Sequence, residues 1–282
     1  KLVSSDPIRD LLIWMNDPKH AVENWGAARW TAFIGIAETE FRFNPRTDGE
    51  ISAAELLCSR QGGWESVWNR FEESCQQYPN LPALLLKASI DLGSDGASYP
   101  LINQTEEEEL ERSLIQLLAE TSDLVREELV RLEKKHGDRR SWVWSRLGLT
   151  PLAVALESLA LIAEATCKIY SGGSAEEMAE QYQREYWRVD HEVLKVMAQQ
   201  LSLGHKQLIN DLLNIIYTPW LEAVTSNFQA VVKKQGYPGV RSTSNCATSA
   251  YQSGGEVVFF VDGLRYDVAH RLIDRLKPLG ET

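Results

Sequence analysis

Apolar residues from residue 1 to about residue 240 recur at three- and four-residue spacing, which is the repeat of an amphipathic helix. In GGWESVWNRFEESC this spacing defines one apolar stripe, made of Trp64, Val67, Trp68 and Phe71. The stripe ends at YPNLP, where two prolines break the helical pattern. No fixed longer repeat recurs. The pattern therefore predicts a mainly α fold, either a helical bundle or an irregular helical solenoid.

Several helices carry recognisable start and stop signals. TEEEELERSLIQLLAETSDLVREELVRLEKKHG predicts one long helix capped by Thr105. TPLAVALESLALIAEA is apolar nearly all round, which predicts a central buried helix with Pro151 in its first turn. Ser174 and Glu177 form a predicted capping box. HKQLINDLLNIIYTPWLEAVTSNFQAVVKKQG predicts either one helix kinked at Pro219 or two helices.

The pattern changes near the end of the chain. The segment YPGVRSTSNCATSAYQSGG is rich in Ser, Thr, Gly and Asn and is typical of a linker or mobile loop. VVFFV, residues 257–261, is typical of a strand buried on both faces. Asp262 and Gly263 then turn the chain, and RYDVAHRLIDRL predicts an amphipathic helix. The predicted organisation is a helical domain at 1–236, a linker at 237–255 and the first β–α unit of an α/β domain at 256–282.

Composition and charge narrow the function classes. The chain of 282 residues has a formal net charge of −11, which argues against nonspecific nucleic-acid binding by the helical body. No apolar run approaches the roughly 18 residues needed to span a bilayer, and the start lacks the apolar core of a signal peptide. We therefore expect a cytoplasmic protein without a membrane partner. The four cysteines form no C-x-x-C pair, which disfavours a zinc ribbon or redox motif.

Four residues near the end of the chain are candidates for a site. Asp262 follows the predicted strand, and ligands of open α/β sheets bind beyond the carboxyl ends of the strands. The alternative is that Asp262 caps the next helix or stabilises the Asp-Gly turn. Asp267 and His270 are three residues apart on the predicted helix, where they would hold a metal or contribute to a surface ion pair. Arg265 is a further candidate. The acid–histidine pair that begins at Asp190 is a weaker one, because neighbours on a helix diverge.

A resemblance adds to this interpretation. VVFFVDGLRYDVAHRL closely resembles the opening strand, turn and helix of PglZ proteins, members of the alkaline phosphatase superfamily found in BREX phage-defence systems. The helical part is similar to the region that precedes this domain in long PglZ proteins, above all at YPNLPALLL, RRSWVWSRLGLTPLAVALESLA and YTPWLEAVTSNFQ. The resemblance covers most of the chain and is strongest at residues 139–159 and 256–272. It implies that the β–α unit opens an alkaline-phosphatase-like core.

The resemblance also implies a chemistry. It assigns Asp262 as a ligand of one of two divalent metals, usually zinc. The nucleophile and the other ligands of the family follow in later segments, so no catalytic residue is assigned here. We expect this chain alone to be inactive and to hold no metal tightly.

Two functions follow from these observations. The first is an N-terminal helical docking region joined to the start of a metal-dependent phosphatase or phosphodiesterase, with other proteins of a BREX-type complex as partners. The alternative is a stand-alone helical protein-interaction module without catalytic activity.

Overall fold

The computed structural model of this chain describes residues 6–88, 96–236 and 261–280. The described residues are mainly helical and contain no β-strand. The earlier helices are α1 (Pro7–Asn16), α2 (Pro18–Phe41), α3 (Gly49–Ser59), α4 (Trp64–Ser74), α5 (Leu81–Ala88), α6 (Pro100–Leu117) and α7 (Ser122–His136). The later helices are α8 (Val143–Arg146), α9 (Pro151–Ala165), α10 (Ala175–Gln181), α11 (Trp187–Met197), α12 (Leu203–Ile216), α13 (Thr218–Gln235) and α14 (Tyr266–Leu276). The prediction of a mainly helical chain is confirmed.

The chain forms two compact units. Unit 1 consists of Lys1–Ser113 and Lys135–Val154, and unit 2 consists of Leu114–Lys134 and Ala155–Thr282. Helices α6, α7 and α9 each continue from one unit into the other. None of the described helices is both long and apolar enough to cross a membrane.

Unit 1 has an aromatic core. The predicted stripe of α4 is buried, since Trp64, Val67, Trp68 and Phe71 are at most 2% exposed. Trp144 from α8 packs edge-on against Trp68, with their ring centroids 6.0 Å apart. The indole nitrogen of Trp144 donates a hydrogen bond of 2.9 Å to the carbonyl of Gly96, so the polar end of this buried ring is satisfied. The core of unit 1 therefore depends on rings contributed by distant segments.

A buried charge also organises unit 1. The guanidinium of Arg139 donates to Glu107 at 2.7 Å and to the carbonyl of Asn103 at 3.0 Å. The other carboxylate oxygen of Glu107 accepts a hydrogen bond of 2.6 Å from the backbone N–H of Leu152, in the first turn of α9. A carboxylate in this position satisfies an unpaired N–H and complements the positive end of the helix.

Unit 2 is built around α9. The side chains of Leu156, Leu159 and Ile162 are fully buried, as predicted for a central helix. Arg126 of α7 is also buried and donates to the Thr166 hydroxyl at 3.0 Å and to the carbonyl of Ile216 at 2.9 Å. The second of these bonds satisfies a carbonyl at the end of α12, where the helix itself offers no donor.

Three details of the helices differ from the sequence prediction or decide between its alternatives. The predicted long helix is broken into α6 and α7, because Thr121, Ser122 and Asp123 favour a new helix start over a helix interior. Thr105 lies inside α6, where its hydroxyl donates to the carbonyl of Leu101 at 2.9 Å instead of capping the helix. The segment around Pro219 forms two helices, with this proline in the first turn of α13.

The end of the chain is described in part. The predicted linker at 237–255 and all of the predicted strand except Val261 lie outside the described residues. Val261 itself is irregular and 53% exposed. The predicted amphipathic helix is confirmed as α14, which belongs to unit 2 and packs against α11.

We predict that Trp144→Ala destabilises unit 1 by about 3–5 kcal/mol, since it removes a fully buried ring and leaves a cavity. Leu149→Ala, at an exposed side chain close by, should change stability by less than about 0.5 kcal/mol. Urea unfolding followed by circular dichroism measures both variants. A loss below about 1 kcal/mol in Trp144→Ala would contradict this role for the ring.

Candidate functional site

The turn that carries the predicted metal ligand lies directly before α14. Asp262 and Gly263 form this turn, and Gly263 has a φ of 68°, a conformation that side chains bearing a Cβ rarely adopt. The N-cap position of α14 is Arg265, so Asp262 does not cap this helix. Asp262 is exposed. The predicted Asp-Gly turn is therefore present, and its carboxylate faces solvent.

Asp267, one turn further along, has a different environment. It is 0% exposed, and its two oxygens accept hydrogen bonds from Nε and Nη2 of Arg265 at 3.0 and 3.2 Å. Two parallel bonds between a guanidinium and a carboxylate fix the geometry of both groups. Arg265 and Asp267 thereby hold the start of α14 in one conformation.

A second carboxylate extends this cluster into the body of unit 2. Asp190 of α11 accepts hydrogen bonds from the hydroxyls of Tyr182 at 2.8 Å and Tyr217 at 2.7 Å. Nη2 of Arg265 lies 3.9 Å from Oδ2 of Asp190. We call Asp190, Tyr182, Tyr217, Arg265 and Asp267 the anchor cluster. It connects the turn before α14 to three other segments of the unit.

Aromatic contacts reinforce this connection. The ring of His270 stacks on Trp187 with centroids 4.1 Å apart and planes 11° apart. Tyr266 meets His270 edge-on at 4.7 Å. Asp267 and His270, which the sequence singles out as a pair, thus have partners other than each other. Within the described residues, no hydrogen bond or ion pair links Asp262 to the anchor cluster.

Burial and the carboxylate of Asp190 raise the pKa values of three tyrosines in and beside the anchor cluster. Burial, and after it the hydrogen bonds to Asp190, raise the pKa values of Tyr182 and Tyr217 above the ordinary value of 10.0. Burial and the negative charge of Asp190 raise the pKa of Tyr170 to about 12. A phenol beside a carboxylate stays protonated because a second negative charge there would be repelled. Tyr182 and Tyr217 therefore stay protonated and act as hydrogen-bond donors to Asp190.

The sequence does not predict the central role of Asp190 in the anchor cluster. The sequence makes Asp190 only a weak candidate, because its neighbour His191 diverges from it on the helix. Its tyrosine partners are not predictable from spacing, since they lie 8 and 27 residues away. The π-helical segment Tyr182–Tyr186 between α10 and α11 is not readable from apolar spacing either. The available signal is the density of tyrosine and tryptophan before Asp190 in QYQREYWRVDHEV.

Within the part of the chain that the structure describes, no group of three or more His, Cys, Asp or Glu side chains is arranged to hold a metal ion. The metal-binding role of Asp262 therefore stays a prediction. Comparison of this chain with protein-family models, with curated proteins and with solved structures finds no match.

We predict that Asp190→Asn loosens α14, because hydrogen bonds to a charged group contribute roughly 1.5–3 kcal/mol and the partner Arg265 loses a nearby negative charge. Amide hydrogen exchange of residues 266–276 should become roughly tenfold faster or more. Asp274→Asn is the matched control, since it removes the same charge from the exposed face of α14. Unchanged exchange in Asp190→Asn would show that the carboxylate does not hold the helix.

A second prediction concerns alkaline pH. Because the folded pKa of Tyr170 is about 12 and an unfolded tyrosine ionises near 10.0, the unfolded state loses its proton first. The stabilising contribution is complete below pH 10 and is lost as pH rises towards 12. Absorbance titration near 295 nm should show native tyrosines that ionise late, with one fewer in Tyr170→Phe. Titration of all nine tyrosines near pH 10 in the folded protein would contradict this.

Proposed function

We propose that this chain is a helical docking scaffold that positions the opening turn of a metal-dependent phosphatase-like core of the PglZ type. The observation that carries the proposal is the contrast within VDGLRYD, residues 261–267. Arg265 and Asp267 belong to the anchor cluster, whereas Asp262 is exposed at the tip of the turn. A carboxylate presented on an anchored turn is suited to bind a ligand supplied from outside the cluster.

The proposal gives each residue of the turn a separate role. Asp262 would be one ligand of a divalent metal, for which zinc is the choice that the resemblance implies. Arg265 and Asp267 are positioning residues, because their hydrogen bonds and ion pairs are made within unit 2. His270 adds to the positioning through its stacking on Trp187. Because the turn is anchored, the backbone that carries Asp262 loses less conformational entropy when the carboxylate coordinates a metal.

The described residues alone do not fit a catalytic zinc, which needs about three protein ligands. Asp262 is one carboxylate, and within the described residues it belongs to no group of three or more His, Cys, Asp or Glu side chains that could hold a metal ion. Other ligands and the nucleophile would come from sequence outside this chain, as the resemblance implies. When bound, such a metal would activate the nucleophile and neutralise charge on a phosphoryl group.

The proposal also assigns residues 257–261 to the first strand of the phosphatase-like sheet and α14 to the helix that follows it. The placement is supported by the helix at Tyr266–Leu276 and by the uninterrupted apolar run before the turn. Val261, the one described residue of that run, is irregular and exposed here and would become ordered when the sheet forms. The strand needs neighbours for its backbone hydrogen bonds, since an isolated apolar strand is unstable in water. The partners we propose are other proteins of a BREX-type complex in the cytoplasm.

A second candidate function is a stand-alone interaction module. Unit 2 exposes several large apolar side chains, of which Leu203 is 86%, Met197 55% and Ile169 55% exposed. Exposed apolar side chains are common singly, but they are also what protein partners cover. This candidate requires no metal and no role for Asp262.

We predict that the 282-residue chain does not hydrolyse p-nitrophenyl phosphate or its bis ester in zinc or manganese. In the natural full-length gene product, we expect metal-dependent hydrolysis that Asp262→Ala abolishes. Asp274→Ala removes the same charge from an exposed position on α14 and should leave activity unchanged.

Two results would count against the proposal. Turnover by the 282-residue chain that disappears in Asp262→Ala would show that the site is complete within it. A natural product without hydrolytic activity, or with activity that Asp262→Ala preserves, would favour the interaction module.

A further inference from the structure

Unit 2 contains an aromatic pocket next to the anchor cluster. It has a volume of about 340 Å³, within the range of roughly 300–1,000 Å³ that small-molecule sites occupy. Its walls include the rings of Tyr170, Tyr182, Phe228 and Tyr266, together with Met178 and Leu221. Four aromatic rings from four separate segments thus surround one open cavity.

The backbone around this pocket has an uncommon conformation. Tyr182–Tyr186 is π-helical, and π-helical turns occur rarely and frequently mark functional sites. Tyr182 contributes its ring to the pocket, and Tyr186 stacks on Tyr170 with centroids 4.3 Å apart and planes 15° apart. Tyr170 and Tyr186 also contact Trp220, so the wall of the pocket is backed by further rings. The wall is therefore held in place before any ligand arrives.

The charge beside the pocket is negative. The Tyr182 hydroxyl donates a hydrogen bond to Asp190, so a carboxylate lies at the hydroxyl end of one of the lining rings. Asp190 and Asp267 share the single guanidinium of Arg265, so one negative charge in this cluster is in excess. Aromatic faces carry negative potential of their own and attract cations. An anion would be repelled here, and a neutral apolar ligand would gain nothing from the carboxylate.

These observations together specify a ligand chemistry. We propose that this pocket binds an alkylated ammonium group, carried either by a small quaternary amine or by a methylated lysine side chain. The methyl groups contact the rings, and the positive charge is attracted by the aromatic faces and by Asp190. An unmodified ammonium fits less well because its hydration is stronger. The inference does not rest on the proposed phosphatase-like function.

The three methionines of the chain provide the test. In protein labelled with 13C at the methionine methyl groups, Met178 reports on the pocket, whereas Met15 and Met197 lie elsewhere and serve as internal controls. Choline, added up to about 10 mM, should shift the Met178 signal alone. Its neutral isostere 3,3-dimethylbutanol should bind at least about tenfold more weakly, because it has the shape without the charge.

A peptide arm distinguishes the two sources of the ligand. A peptide carrying trimethyl-lysine is compared with the same peptide carrying unmodified lysine. Tighter binding of the methylated peptide than of choline identifies a protein ligand, and the reverse order identifies a small molecule. Either order supports the proposal, provided that the methylated form binds more tightly than the unmodified one.

Two variants distinguish the contribution of the aromatic ring of Phe228 from that of its apolar volume. Phe228→Leu keeps an apolar side chain but removes a π face, so choline binding should weaken roughly two- to thirtyfold while binding of the isostere is unchanged. Phe228→Tyr keeps the ring and should bind choline as the parent protein does. No Met178 shift with either cation, equal binding of choline and its isostere, or equal loss of both ligands in Phe228→Leu would each overturn the proposal.

Discussion

The carboxylate of Asp190 is the point at which separate segments of unit 2 meet. It accepts hydrogen bonds from a π-helical segment through Tyr182 and from the junction of α12 and α13 through Tyr217. Arg265 brings the turn before α14 to the same carboxylate. Taking a carboxylate out of water is costly unless donors replace the lost hydration. The arrangement is therefore stable only when all these segments are in place at once, which makes their folding interdependent.

The polar residues of the turn before α14 have two different roles. Arg265 and Asp267 contribute to the anchor cluster, and Asp262 does not. Arg265 is half-exposed but directs its guanidinium to Asp267, and the buried Asp267 without that guanidinium would be an unpaired charge. Asp262 lies at the exposed end of the same turn and has no share in that arrangement. Polar residues that are close together in the sequence thus differ in whether their side chains already have partners within the protein. Arg265 is also exposed, but its guanidinium is engaged by Asp267 and Asp190. Asp262 is therefore the residue available for a ligand without loss of those contacts.

The parts of the fold that the sequence predicts well are those governed by local rules. The apolar stripe of α4 is buried, and the N–H of Glu177 donates to the Ser174 hydroxyl at 3.1 Å while the Glu177 carboxylate accepts from the N–H of Gly173 at 2.7 Å. The break between α6 and α7 was missed, because apolar spacing continues across it and only three polar residues mark the new start. The anchor cluster was missed because its members meet only through tertiary packing.

The interleaving of the two units has a consequence for synthesis and folding. Because α6 and α7 both cross between units, residues 114–134 of unit 2 are made before unit 1 has received residues 135–154. Domains usually fold as units in the order in which they leave the ribosome. Here the first unit cannot close until part of the second has already emerged. A cut at any single point between residues 114 and 154 would therefore separate at least one unit from one of its own helical segments.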